Sequence, residues 1–186
     1  MALVAEHTTG RARNVANAVM FTIGTGIGGA AIMDGTVLRG RAAAGQFGHI
    51  TVDINGEQCL CGRRGCVETT SSGTALSRHI AAAGLDVTTS VEDLLTRSSS
   101  GDANAAAVLA AWARPMRAAI DTTVAALDPD LVILGGGLGI AMHQALANFP
   151  AVSPWYQCPV EPGALGDRAG VIGAGLSALM ELAPNR

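Results

Sequence analysis

AVMFTIGTGIGGAAIMDGTVL, residues 18–38, decides what kind of fold this chain can adopt. Ala18–Ile23 is a short apolar run of strand-forming residues ended by Gly24, and Gly29–Met33 resumes it before Asp34-Gly35 turns the chain into Val37-Leu38. The pattern predicts a β-meander. The intervening Gly24-Thr25-Gly26-Ile27-Gly28-Gly29 loosely matches a dinucleotide-binding fingerprint, but that motif opens a helix, whereas these residues lead back into strand. Two uses stay open for the turn. Its backbone N–H groups and the Thr25 hydroxyl can meet a phosphate, or it can serve as a purely structural hairpin.

Downstream, residues 45–66 are rich in Gly, Cys and polar side chains with neither helical nor strand period, so they predict a folded loop that needs an internal staple. Val67–Ala83 and Asp102–Leu127 carry helical patterns, the second with Asp102 as N-cap and Pro115 as a kink. Ser98–Ser100 reads as a surface loop between them. Leu131–Leu134 reads as a buried strand, followed by Gly135-Gly136-Gly137 and an apolar helix to about Asn148. Residues 150–168 predict a loop with one short strand, and Gly170–Leu182 a small-residue helix that stops before Pro184. Upstream, Met1–Gly10 reads as the tail of a helix with no capped beginning, an indication of truncation. This order of elements predicts an α/β fold with one principal core.

Composition narrows the function classes. The 186 residues are 49% hydrophobic, with a mean hydropathy of +0.35, which excludes a disordered tail. No apolar stretch reaches the ~20 residues of a membrane span, and a cytoplasmic location is the expectation. The net charge is −3, and no basic run is longer than Arg63-Arg64, so the footprint of a nucleic-acid binder is missing. All 12 basic residues are Arg; a Walker-type phosphate loop, which requires Lys, is therefore excluded.

The sharpest local signal is His49 with Cys59, Cys61 and Cys66, in the pattern H-x9-C-x-C-G-x-x-G-C. Three soft thiolates and one imidazole supply the four donors of a closed tetrahedral zinc site, with Gly62 and Gly65 letting the backbone fold around the ion. The alternative is three unrelated buried thiols. With every position filled by protein, such a zinc is structural. Cys158 stands alone. Gly135-Gly136-Gly137, between strand and helix, offers a side-chain-free surface for a nucleotide, or is only a tight turn. His7, His79 and His143 sit in helical contexts without a second ligand nearby, and read as surface or helix-end residues.

Together, FTIGTGIGGA (21–30), AAAGQFGH (42–49), CLCGRRGCVE (59–68), LDPDLVILGGG (127–137) and GDRAGVIGAG (166–175) resemble the ROK (repressor, open reading frame, kinase) family in order and spacing. The resemblance implies a sugar kinase, actin and RNase H-like α/β fold. It implies one domain over residues 1–186, the carboxy-terminal half of a two-domain architecture whose amino-terminal domain is absent. Zinc would sit on His49, Cys59, Cys61 and Cys66, the phosphates of ATP with its Mg at Gly24, Thr25 and Gly26, and adenosine at Gly135, Gly136 and Gly137. His49 and Glu68 would meet sugar hydroxyls, with Gln46 standing where the family usually has Glu. The implied reaction is ATP-dependent phosphorylation of a hexose or N-acylhexosamine, as in a glucokinase.

Two departures qualify that expectation. The family's catalytic Asp, in an Asn-Asp-Ala-Asn-type segment, and its first phosphate motif belong to the absent domain. Asp102-Ala103-Asn104-Ala105 imitates the former but reads as a helix N-cap. The chain is thus expected to be truncated and inactive alone, and to associate with itself or with an amino-terminal half. The rivals are the sugar-sensing half of a ROK-type transcriptional repressor and a zinc-stabilised module without chemistry.

Overall fold

The structure is a computed structural model that describes residues 1–182 of the chain. Its centre is β1 (Ala18–Ile23), which pairs on one side with β2 (Ile27–Met33) and on the other with β4 (Leu131–Gly135). Two short strands, β3 (Thr36–Val37) and β5 (Val160–Pro162), complete a five-stranded sheet in the order β3-β2-β1-β4-β5. β1, β4 and β5 run parallel, while β2 is antiparallel to both of its neighbours.

Both faces of the sheet are covered, which is why AVMFTI and LVIL read as continuous apolar runs rather than alternating ones. The two-residue period of β1 divides its side chains between two cores. Val19, Phe21 and Ile23 join Val132 and Leu134 under α3 (Gly73–Ala82), α4 (Val91–Ser99), α5 (Ala103–Leu127) and α6 (Gly139–Leu146). Ala18 and Met20 join Leu131, Ile133 and Ile32 under Leu3 of α1 (Ala2–Thr9). On that second face α1 also packs against α7 (Ala169–Leu182). The fully buried Glu6 carboxylate accepts the Arg11 N–H at 2.7 Å and the Leu165 N–H at 2.9 Å, tying the end of α1 to the approach to α7.

The meander, the long helix and the buried strand lie where the sequence places them, with some differences. β2 begins at Ile27, two residues early, so only Gly24–Gly26 separates it from β1. Asp34 and Gly35, with φ of 50° and 70°, make the next tight turn. The helix expected over Val67–Ala83 is two: α2 (Glu68–Ser71) and α3, broken at Ser72, whose ψ is 172°. The physical cause is buried Trp112 on α5. Its indole Nε1 donates to the Ser72 carbonyl at 3.1 Å and its own carbonyl accepts the Ser71 hydroxyl at 2.7 Å, while the Ser72 side chain caps α3 by accepting the Ala75 N–H.

Ser98–Ser100 is not a loop. Ser98 and Ser99 finish α4, which opens with a reciprocal capping box between Ser90 and Asp93. Asp102 caps α5 as expected, accepting from the Asn104 and Ala105 N–H groups, and α5 runs on through Pro115. α6 ends at Leu146 rather than near Asn148. Residues 150–168 contain β5 and two single 3-10 turns, and the expected stop before Pro184 lies outside the described residues. No described helix is long and apolar enough to cross a membrane.

Candidate functional site

β1 and β4 end at the same edge of the sheet, with Thr22 in register with Gly135, and a glycine turn follows each. A parallel sheet presents its ligand crevice at this carboxyl edge. The two turns touch. A Cβ on Gly136, whose φ is +78°, would lie 2.5 Å from the Ile23 carbonyl oxygen, and that carbonyl accepts the Leu138 N–H at 3.1 Å.

The first turn is stitched to the helices behind it. The Gly24 carbonyl accepts the Gly73 N–H at 2.7 Å, and the Thr25 carbonyl accepts the Thr74 hydroxyl at 2.9 Å, both from the start of α3. On its other side the Ile27 N–H donates to Glu68 Oε2 at 2.7 Å. Gly26 has no room for a side chain, since a Cβ there would sit 2.6 Å from the same oxygen.

A cleft of about 370 Å3 opens beside this turn, lined by Thr25, Gly26, Glu68, Thr74 and Arg78 with the tip of the cysteine loop. Arg78 pairs with Glu57 and donates to the Thr69 carbonyl, so the loop, α2 and α3 meet at one side chain. Thr25, Gly26 and Glu68 are thus brought together. Gln46 is not: it lines a separate cavity of about 310 Å3 with Phe47, Thr122 and Leu127. Gly135–Gly137 flank the turn from the β4 side but do not line the cleft. Sequence reasoning missed Arg78, because the single helix expected over Val67–Ala83 gives no reason for it to meet the Glu68 cleft; the break at Ser72 does. It also missed a cavity of about 720 Å3 between α5 and residues 148–156, lined by Arg114, Arg117, Asp121 and Phe149.

The cysteine loop closes on itself as predicted. Cys59 Sγ lies 3.6 Å from His49 Nδ1, Cys61 Sγ lies 3.6 Å from Cys66 Sγ, and all four donor atoms fall within 4.8 Å of one another. Metal–sulfur bonds of about 2.3 Å give tetrahedral edges of about 3.8 Å, so the cluster has the size of a four-donor metal centre. Gly62 and Gly65 adopt φ of +90° and +63°, the conformations that let the loop fold inward. Bridges Thr51–Cys66 and Gln58–Arg64 hold its base. Burial, then the neighbouring sulfurs, push the Cys66 thiol up to about 12, whereas the Arg63 backbone N–H holds Cys61 below its ordinary value. A divalent cation bound there would favour the thiolate form of its sulfur ligands. Cys158 lies apart, with its Sγ 3.2 Å from the Pro129 carbonyl, and burial raises its pKa. His7 and His79 donate to the Val15 and Thr70 carbonyls, and His143 lies in α6.

Comparison with known proteins finds relatives over almost the whole chain. A sequence model described as "ROK family" matches residues 1–181. An N-acetylmannosamine kinase of Haemophilus influenzae is 32% identical over 180 residues, which cover 93% of this chain and 58% of that protein. The chain therefore spans a little over half the length of this curated relative. Among solved structures, a ROK hexokinase from Thermus thermophilus superposes with a TM-score of 0.79 at 31% identity, over 99% of this chain and 64% of that one. A ROK family transcriptional regulator, a homologue of the E. coli MLC protein, gives 0.73 at 28% identity, over 94% and 48%.

Proposed function

The chain belongs to the ROK family, and from that premise we propose that it carries the nucleotide- and sugar-contacting half of an ATP-dependent sugar kinase, of the glucokinase or N-acylhexosamine kinase type. The observation that supports this most is the placing of Glu68 against the Gly24–Ile27 turn, at the cleft beyond the carboxyl ends of the parallel strands. In this reading the turn Gly24, Thr25 and Gly26 meets the phosphates of ATP, which Mg would bridge, and Gly135–Gly137 takes the adenosine. Zinc on His49, Cys59, Cys61 and Cys66 is structural. With His49 Nδ1 facing Cys59 Sγ in that cluster, its Nε2 would remain for a sugar hydroxyl.

The chemistry is in-line attack of a sugar hydroxyl on the γ-phosphate, which needs positioning, electrostatic stabilisation and a base within hydrogen-bond reach. Glu68 Oε1 and His49 orient the sugar, while Gln46 lies apart in the second cavity. Gln in place of a carboxylate keeps an acceptor and gains donors, but loses the charge that strengthens such bonds. The base comes from outside these residues, and a second copy or an amino-terminal half completes the cleft.

Similarity to the ROK transcriptional regulator favours one second reading, in which the same cleft senses a sugar without phosphorylating it. Calorimetry with N-acetylmannosamine, glucose and ADP separates the two. A kinase half binds ADP and a sugar, each at roughly millimolar affinity for a cleft walled on one side, whereas a sensor binds sugar alone. No binding of either class at tens of millimolar would overturn both.

A further inference from the structure

We propose that Glu68 is a positioning residue for the glycine turn, linking that turn to the cysteine loop. The effect on nucleotide affinity rests on the kinase reading; the effect on the turn does not. Ile27 opens β2, and its N–H is the first donor beyond the Gly24–Gly26 turn. It points at a carboxylate 41 residues later in sequence, at 2.7 Å. The glycine at position 26 makes room for that carboxylate, with 2.6 Å between a notional Cβ and Oε2 and 3.3 Å to Cδ. Without Glu68 the turn keeps its internal bond, in which the Gly24 N–H donates to the Gly26 carbonyl at 2.9 Å, and its bonds to the first residues of α3.

Glu68 is itself held firmly. It begins a four-residue helix whose last residue, Ser71, bonds to Trp112, and it follows Val67 and Cys66, both fully buried. Two peptide units therefore separate a member of the four-donor cluster from the carboxylate that holds the turn. The side chain that fixes a phosphate-type turn here carries a negative charge, which repels an incoming phosphate. Its value to the turn lies in the acceptor atom, and its charge works against nucleotide binding. An acceptor without charge should serve the turn as well.

That separation gives the test, in the 186-residue protein. Amide hydrogen exchange at Ile27 is followed in the parent, Glu68→Ala, Glu68→Gln and Gly26→Ala, each checked for native circular dichroism. Loss of a hydrogen bond to a charged acceptor should speed Ile27 exchange about tenfold or more in Glu68→Ala, while Glu68→Gln stays within about threefold of the parent. Gly26→Ala, which leaves Glu68 in the chain but crowds it, should also speed exchange. ADP affinity should fall in the Ala variant and hold or rise in the Gln variant. Unchanged Ile27 exchange in Glu68→Ala, or equally fast exchange in the Gln variant, overturns the proposal. If Glu68→Ala does not fold, unchanged exchange in Gly26→Ala overturns it. If the exchange pattern holds but the parent binds no ADP, the positioning role stands and the kinase reading falls.

Discussion

Cys61 Sγ lies 3.6 Å from Cys66 Sγ, too far for a disulfide of about 2.05 Å and close to the edge of a metal tetrahedron. The loop around them has little apolar core of its own: Ile54 and Leu60 project into solvent. Its order should come from the ion. The purified chain is expected to hold close to one zinc, and Cys61→Ser, which removes an exposed sulfur, should lose most of the metal and lower the melting temperature. Chelation should expose residues 45–66 to hydrogen exchange first, because ligand binding free energy there is folding free energy. Metal analysis by mass spectrometry that finds no zinc, or a Cys61→Ser protein with unchanged metal content, contradicts this.

That four-donor cluster was legible in the sequence because three of its donors lie within eight residues and the loop's own glycines set its path. β1 and β4 were legible for a related reason, since burial on both faces leaves an uninterrupted apolar run. What the sequence hid depends on partners far along the chain. The break at Ser72 is imposed by Trp112, forty residues away, and nothing in TTSSGT announces it. α4 buries only Val91 and Leu94, too few to show a period, although Ser90 and Asp93 already spell its capping box. The contact between Glu68 and Ile27 joins two motifs that sequence reasoning had assigned to different ligands. Gln46 fell away from Glu68 because it faces α5, whose C-terminal turns carry no functional pattern.

Arg117 and Asp121, one turn apart on α5, form an ion pair at 2.7 Å with only 11% and 12% of their side chains exposed. Apart from that contact, Arg117 Nε and Nη2 and Asp121 Oδ1 have no hydrogen-bond partner among the described residues. The pair is therefore costly to break and of little net benefit when whole. Asp121→Ala should destabilise the fold by about 3 kcal/mol, whereas Arg117→Met with Asp121→Leu should fall within about 1 kcal/mol of the parent. Urea denaturation measures both; a single mutant as stable as the double would show that the charges are solvated.

Asp102 caps α5 and pairs with Arg97. The Ala105 N–H first, and the Arg97 guanidinium next, hold its carboxyl below the usual carboxylate range. A lowered folded-state pKa stabilises at pH values above the unfolded value of about 3.9, and that stabilisation disappears as pH falls through the folded value. Asp102→Ala should therefore melt at a lower temperature than the parent at pH 7, with the gap narrowing as pH drops below about 3.9. Asp102→Asn, which keeps a capping oxygen but not the charge on Arg97, should lie between them. A gap that is constant from pH 7 to pH 3 would place the effect in helix propensity rather than in the charged cap.

The acidic residues lining the cleft are Glu57, whose carboxylate is paired with Arg78, and Glu68, whose Oε2 accepts the Ile27 N–H. No aspartate lies among the described lining residues. A sugar hydroxyl placed there finds Glu68 Oε1 to orient it, but no carboxylate beyond the two already engaged by Ile27 and Arg78 to take its proton, and loss of a general base typically costs about 10²–10⁴ in rate. Turnover of N-acetylmannosamine or glucose with ATP by the 186-residue protein should thus fall about a hundredfold or more below the 1–100 s⁻¹ or so ordinary for kinases. A coupled ADP-release assay decides it. Turnover at ordinary rates would require one of the two glutamates to be the base. Glu57→Gln, which keeps an acceptor for Arg78 but cannot take the proton, would then abolish the rate if Glu57 serves and leave it intact if Glu68 does.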